Sequence, residues 1–278
     1  MMPIYHKVSQ LCSCITTKEY SSSFSSAISL LHHDLRKPIY NIYGFVRFAD
    51  EIVDTFHDHD RAVLLAEFKK ATFDAIERRI SLNPILHSFQ LTVNEYNISF
   101  DLIDAFFASM EMDLSDQHYT RGIYQEYIYG SAESVGLMCL YVFCEGDHIK
   151  YDQLRPAAQA LGSAFQKVNF LRDVKNDYEL LKRTYFPGVD FYNFTPGMKK
   201  EIEDDIEKDF QDAYNGILRL PWKAKFGVYV AYKYYLSLFD KIKKLQPSRI
   251  MDERVRIPNY RKAMIVARAG LKNQLNLL

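Results

Sequence analysis

Four cysteines, Cys12, Cys14, Cys139 and Cys144, are all that this chain of 278 residues contains. No two form a Cys-x-x-Cys pair and none has histidine at ligand spacing, which excludes a structural zinc site and leaves reduced, buried or half-buried thiols. An excess of either charge is also missing. Lys+Arg and Asp+Glu each number 35, for a formal net charge of zero, so the basic surplus of nucleic-acid binders is absent and no nucleic-acid partner is expected. No uninterrupted apolar run approaches the ~20 residues that cross a bilayer, and the first residues lack the apolar core of a signal peptide. A cytoplasmic protein is expected, peripheral at most to the inner face of a membrane. Linkers rich in Gly or Pro, repeat periods and low-complexity tails are lacking too, so one domain over 1–278 is the simplest organisation.

What the chain has is apolar and aromatic. Hydrophobic residues make up 48%, with 19 Phe and 20 Tyr but a single Trp, Trp222. Such rings pack cores, and can also wall a pocket for an apolar or cationic guest.

The apolar periodicity is helical nearly throughout. A serine-rich stretch, 21–26, leads into a short helix ending near His33. Pro38 suits the first turn of a long helix to about Phe56. His57 to Asp60 reads as a turn with an N-cap, 61–81 as an amphipathic helix, and Asn83-Pro84 as a restart. Further helices are expected over 99–113, from a cap at Asp116 through Tyr141, over 152–183, 199–218, 221–245 and 257–276. One compact all-α domain follows.

Two polar stripes interrupt this pattern. Tyr43, Arg47, Asp50 and Asp54 stand at offsets of four, seven and eleven, and share one helix face. Gln166, Asn169, Asp173 and Asp177 stand at offsets of three, seven and eleven, and do the same on a second helix. Their flanks are apolar: Ile42, Phe45, Val46, Phe48, Ile52 and Val53 on the first, Val168, Phe170, Leu171 and Val174 on the second. Carboxylates set among apolar neighbours suggest a cavity, where uncompensated charge is costly. Divalent cations and a ligand would compensate it, and paired carboxylates one turn apart suit the hard ion Mg²⁺, with Mn²⁺ as a substitute. A buried salt-bridge network is the alternative. Asp205 and Asp209 are also four apart, but lie in a segment charged on most sides and read as a solvated face. His57 and His59 alternate with acids at a turn and read as a solvated loop.

These residues carry a resemblance. The chain resembles the squalene/phytoene synthase family, the head-to-head prenyl synthases, on the segments Tyr43 to Asp54, Gln166 to Asp177 with Arg183-Thr-Tyr185 following, Tyr127 to Gly136, Tyr20 to Phe24, and Glu253-Arg254-Val255. The matches keep the family's order from about Ser21 to Arg254. The resemblance implies an isoprenoid synthase helical bundle around a central cavity, with two aspartate helices facing each other. It implies an Mg²⁺-dependent prenyltransferase of isoprenoid and carotenoid biosynthesis that joins two prenyl diphosphates. The favoured reaction is that of phytoene synthase on geranylgeranyl diphosphate, without NADPH; dehydrosqualene or squalene formation from farnesyl diphosphate is the close rival. A class I terpene cyclase and a non-catalytic assembly factor are rivals of other kinds.

Asp50, Asp54, Asp173 and Asp177 are then the expected metal ligands, with Asn169 completing the sphere. Glu51 points about 100° away from Asp50 and would act behind the ligands. Ser21, Ser23, Tyr43, Arg47, Gln166, Arg172, Tyr235 and Arg254 are the candidate substrate contacts, since arginine forks and hydroxyls suit phosphate oxygens. Arg172 lies off the stripe, where a surface salt bridge serves equally well, and Tyr232 and Tyr234 compete with Tyr235. Phe24 and Ile28 stand one turn apart on a prospective tail channel. Tyr129 is a candidate for influencing proton transfer or steadying a cation, with core packing as its competitor. The small residues Gly130, Ser131, Ala132, Ser134 and Gly136 permit either close helix contact or a path for a prenyl tail. Glu133 among them either faces away from the cavity or alters that path. A product so apolar should leave towards lipid, so peripheral membrane contact for product release, through amphipathic helices, is expected; the sequence does not settle the oligomeric state.

Overall fold

The computed structural model describes residues 2–115, 119–179, 183–189, 191–250 and 254–275, with side chains 176–179 and 192 not described. The elements are helical, and no strand occurs among the described residues. In order they are α1 (Met2–Tyr20), α2 (Ser22–Ser29), α3 (His33–Asp54), α4 (Arg61–Arg78), α5 (Pro84–Tyr96) and α6 (Phe100–Met112), then α7 (Arg121–Ile128), a π-helical turn (Tyr129–Glu133) and α8 (Ser134–Cys144), and finally α9 (His148–Glu179), α10 (Pro196–Arg219), α11 (Trp222–Lys243) and α12 (Asn259–Gln274).

Local chemistry sets many of these ends. Asp60 accepts the backbone N–H of Val63 at 3.1 Å, Asn83 that of Ile85 at 3.0 Å, and Thr195 that of Met198 at 3.2 Å. Each side chain satisfies a donor that the first helical turn leaves free. The His57–Asp60 segment is therefore a turn and a cap, as expected. Thr120 caps α7 instead of Asp116, which lies outside the described residues. The start of α3 precedes Pro38 by five residues, so the proline sits inside the helix, where its missing N–H removes one bond. The largest omission from the sequence reading is α1, whose buried residues are Ser9, Ser13 and Thr17 while its apolar stripe faces outward.

A phenylalanine cluster anchors one half of the core. Phe45 of α3 stacks on Phe89 of α5 with ring centroids 3.9 Å apart, and Phe106 and Phe107 of α6 close around it. The other half is built on α9, which packs along α10, α8 and the π turn. The helical stretch Arg121–Cys144 is long and apolar enough to cross a membrane, but half of its most apolar window is buried. Gly130 sits so close to α6 that a Cβ there would meet the carbonyl oxygen of Ala105 at 2.3 Å. The π turn widens the helix beside this contact and turns Ser131, Ala132 and Gly136 towards a central void.

Candidate active site

That void, about 290 Å³, lies between α2, α3, the π turn, α8, α9, α10 and α11. Its walls are mostly apolar: Ile28, Ile42, Val135, Leu161 and Ile217 line it, with Gly136, Gly162, Gly216 and Gly227 where helices approach closely. Phe24 lies between three rings, 5.7 Å from Tyr43, 6.2 Å from Phe165 and 5.7 Å from Tyr235, while Phe165 and Tyr235 stack at 3.8 Å. Phe24 and Ile28 therefore both line the void, as the sequence suggested. The polar lining consists of Tyr43, Ser131, Gln166, Asn169 and Tyr235. Gln166 donates to Ser131 at 3.3 Å, and Tyr235 donates to the Asn169 side-chain oxygen at 3.2 Å. Tyr232 and Tyr234 do not line the void.

The α3 stripe continues from Tyr43 away from this lining. Arg47 donates to the carboxylates of both Asp50 and Glu51, and its guanidinium lies 4.3 Å above the ring of Tyr20. Its buried Nε has no hydrogen-bond partner. Burial, then the charge of Asp54, raises Asp50 above the usual carboxylate range, against the pull of Arg47 and Arg183. Burial pushes the Tyr43 phenol up to about 12.

Asp54 is held by a residue distant in sequence. Arg183, beyond the end of α9, places a guanidinium nitrogen 2.7 Å from Asp54 Oδ1. The same guanidinium donates to the carbonyl of Asp113 at 2.8 Å and lies 3.5 Å from its carboxylate. Asp113 is 6% exposed, and accepts Tyr127 at 2.7 Å and Tyr185 at 3.3 Å. Burial raises its carboxyl to about 7, with Arg183 and Tyr127 opposing that shift.

On α9, Asp173 is bracketed by two arginines. Arg172 donates to it at 2.5 and 3.0 Å, and Arg254 Nε lies 2.6 Å from its Oδ1. The α9 backbone runs through Asp177, whose side chain lies outside the described residues, as does Glu253. Asp50, Asp54 and Asp173 are thus each paired with arginine, and Asp50 remains incompletely compensated. This donor set suits hard divalent cations, which prefer carboxylate and amide oxygens. Asp50, Asp54, Asn169 and Asp173 could hold Mg²⁺, leaving the arginines to phosphate oxygens.

Tyr129 is half-buried in the π turn but does not line the void. Glu133 turns away from it and accepts Gln159 at 2.9 Å. Ser21 spends one hydroxyl contact on capping α2, accepting the N–H of Phe24 at 3.2 Å, and Ser23 is half-buried on the first turn of that helix. Phe48 is exposed rather than part of an apolar flank. The Asp205–Asp209 pair is no simple solvated face: Asp209 is 17% exposed and bonds both Lys167, at 2.8 Å, and Ser163, at 2.7 Å. Lys167 is buried, so α10 supplies the charge that its burial requires.

Sequence reasoning missed Asp113 as part of the charged site, and named Tyr20 and Tyr127 only within motif segments. Arg183 was visible only as a motif residue. Asp113 gave no signal, because an acid at the end of a helix is commonplace.

An all-α bundle around an apolar void, with arginine-paired carboxylates on two of its helices, is the isoprenoid synthase fold. The chain belongs to the squalene/phytoene synthase family, whose model matches residues 17–261. It is 29% identical over 203 residues to a 4,4'-diapophytoene synthase of Staphylococcus haemolyticus, covering 69% of this chain and 67% of that one. It is 26% identical over 291 aligned positions to a phytoene synthase of Arthrospira platensis, covering 95% and 92%. A crystal structure of a dehydrosqualene synthase in complex with ligand shares the fold at a TM-score of 0.81 and 20% identity, over 98% of each chain. A squalene synthase from Alicyclobacillus acidocaldarius follows at 0.75 and 19%, over 87% and 95%. The family comprises head-to-head prenyl synthases.

Proposed function

We propose that this chain is a phytoene synthase-type prenyltransferase, condensing two geranylgeranyl diphosphates. The observation that carries the choice of substrate is the length of the void. Leu154 and Asn169 both line it, fifteen residues apart on α9, which is about 22 Å of helix. That length accommodates a chain of four isoprene units whose diphosphate lies at the carboxylate end.

Binding begins with charge. Arg47, Arg172 and Arg254 would take phosphate oxygens, with the Ser21, Ser23 and Tyr43 hydroxyls adding single bonds. Mg²⁺ held by Asp50, Asp54, Asn169, Asp173 and Asp177 would supply charge neutralisation at the leaving diphosphate. Apolar walls keep water from the allylic cation left behind, and the rings of Phe24, Phe165 and Tyr235 offer it π faces. The double bond of the second substrate attacks that cation, and proton loss gives a cyclopropylcarbinyl diphosphate. A second ionisation, rearrangement of the resulting cation and loss of a second proton then give the linear hydrocarbon. Released diphosphate can accept the proton, which leaves Tyr129 without a required role. No reductant is needed for phytoene, so NADPH is not part of this reading.

The test is incubation of the purified protein and Mg²⁺ with geranylgeranyl or farnesyl diphosphate, with and without NADPH. A forty-carbon product from the former, independent of NADPH, supports the proposal. A thirty-carbon product made only from farnesyl diphosphate would replace it with dehydrosqualene or squalene synthesis.

A further inference from the structure

The first described helix is built inside out. Its core-facing positions are Ser9, Ser13 and Thr17, all fully buried. Small polar groups are needed there because α1 lies very close to its neighbours. A Cβ on Gly44 of α3 would sit 2.8 Å from Ser13 Oγ, and Ser13 shares a hydrogen bond of 2.6 Å with Ser88 of α5. The opposite face carries Ile4, Val8, Leu11 and Ile15, at offsets of four, seven and eleven, so they form one stripe. They are 67%, 49%, 49% and 58% exposed. A soluble helix ordinarily arranges these faces the other way round.

A second element extends the stripe. Leu82, in the loop between α4 and α5, is 95% exposed, and Ile80 beside it is 45% exposed. That loop is tied to the first turn of α1: Tyr5 donates to the Ser81 carbonyl at 2.5 Å, and His6 and His87 share a hydrogen bond of 2.8 Å. Exposed Lys7 and Lys18 flank the stripe, and exposed Arg78 and Arg79 flank Leu82. Glu19 and Glu77 are the exposed acids on these same segments. No ion pair to the four cations occurs among the described residues.

We infer that this face, α1 with the loop to α5, seats the protein on a lipid bilayer carrying anionic headgroups. Apolar side chains with basic flanks match the two layers of such a surface, hydrocarbon beneath and phosphate above. A second copy of the chain fits less well. Each side of a standard protein interface needs about 20–30 residues, whereas this stripe and loop tip offer only a handful of apolar contacts. The inference does not depend on which prenyl diphosphate the enzyme uses.

The experiment is vesicle flotation of the full chain, using phosphatidylcholine alone and phosphatidylcholine with one third phosphatidylglycerol. The wild type should float with the anionic vesicles and release as salt rises, since screening weakens surface charge. Leu82→Ser alone, and Ile4→Ser with Leu11→Ser, should each weaken binding about tenfold, roughly the worth of one or two buried apolar side chains. Lys7→Glu with Arg79→Glu should weaken it on anionic vesicles only. All these positions are exposed and away from the catalytic void, so melting temperature and turnover of detergent-dispersed substrate should stay at wild-type values. Failure of the wild type to float, or wild-type binding by all the variants, overturns the inference. So does a concentration-dependent dimer in sedimentation equilibrium that the serine variants abolish while vesicle binding is unchanged.

Discussion

Arg183, from the segment that follows α9, places a guanidinium nitrogen 2.7 Å from Asp54 Oδ1 on α3. This bond ties the acidic stripe of α3 to the segment that follows α9. It rests on a second carboxylate, since the same guanidinium is anchored by Asp113, itself held by Tyr127 and Tyr185. Asp113 acts through Arg183, and Arg183 holds Asp54 where a cation would find it.

Removing this link should lower turnover sharply, and should lower Tm as well, because it leaves the buried Asp113 carboxyl without its cation. Arg183→Ala is expected to lower kcat/KM by about 100-fold, comparable with loss of one well-placed donor in a catalytic site. Far-ultraviolet circular dichroism should stay helical. Asp113→Asn should fall between this variant and the wild type, raising the Mg²⁺ concentration required for half-maximal rate. Wild-type kinetics in both variants would reduce the network to ordinary core structure.

Asp50→Asn and Asp173→Asn test the proposed metal ligands. Each removes a carboxylate charge while keeping shape, so turnover should fall severely with the helical content retained. Near-normal activity in either would take that residue out of the metal site.

Chelation and pH probe the same group from another side. EDTA should abolish turnover and Mg²⁺ should restore it. Asp50 titrates above the usual carboxylate range because burial and Asp54 disfavour its charge. Protons therefore compete with a cation for it at a higher pH than for an exposed acid. The Mg²⁺ concentration for half-maximal rate should rise as pH falls from 8 towards 6, and a flat profile would contradict this.

The length of the void predicts a graded change of substrate. Ile217 lines it from α10. Ile217→Phe adds bulk at a buried position, and should depress the forty-carbon product from geranylgeranyl diphosphate while sparing coupling of farnesyl diphosphate. Equal losses on both substrates would mean that the side chain does not set chain length.

Close packing at the π turn should appear in stability. A Cβ at Gly130 would lie 2.3 Å from the Ala105 carbonyl oxygen. Gly130→Ala should therefore cost about 1–3 kcal/mol, the usual range for overpacking, read as a lowered Tm. An unchanged Tm would show that α6 gives way freely.

Most of this architecture was legible where apolar spacing and capping chemistry agree, as at Asp60 and Asn83. The two aspartate stripes were legible because carboxylates with apolar flanks break the amphipathic rule. Helix α1 was not, since its buried side is serine and threonine and its apolar side faces out. Asp113 was hidden for a related reason: its importance arises from Arg183, seventy residues away in sequence, and long-range pairing leaves no local pattern. Lys167 shows the same limit. It reads as a polar residue on a stripe helix, and only the packing of α10 reveals its partners Asp205 and Asp209.

The central claim, two prenyl diphosphates joined in one void, is tested most directly by stoichiometry. Purified protein would be given geranylgeranyl diphosphate and Mg²⁺, and the extracted hydrocarbon weighed by mass spectrometry against the diphosphate released. The account predicts a forty-carbon hydrocarbon with two diphosphates released for each molecule formed. A twenty-carbon cyclic product with one diphosphate, or no hydrocarbon at all, would contradict it.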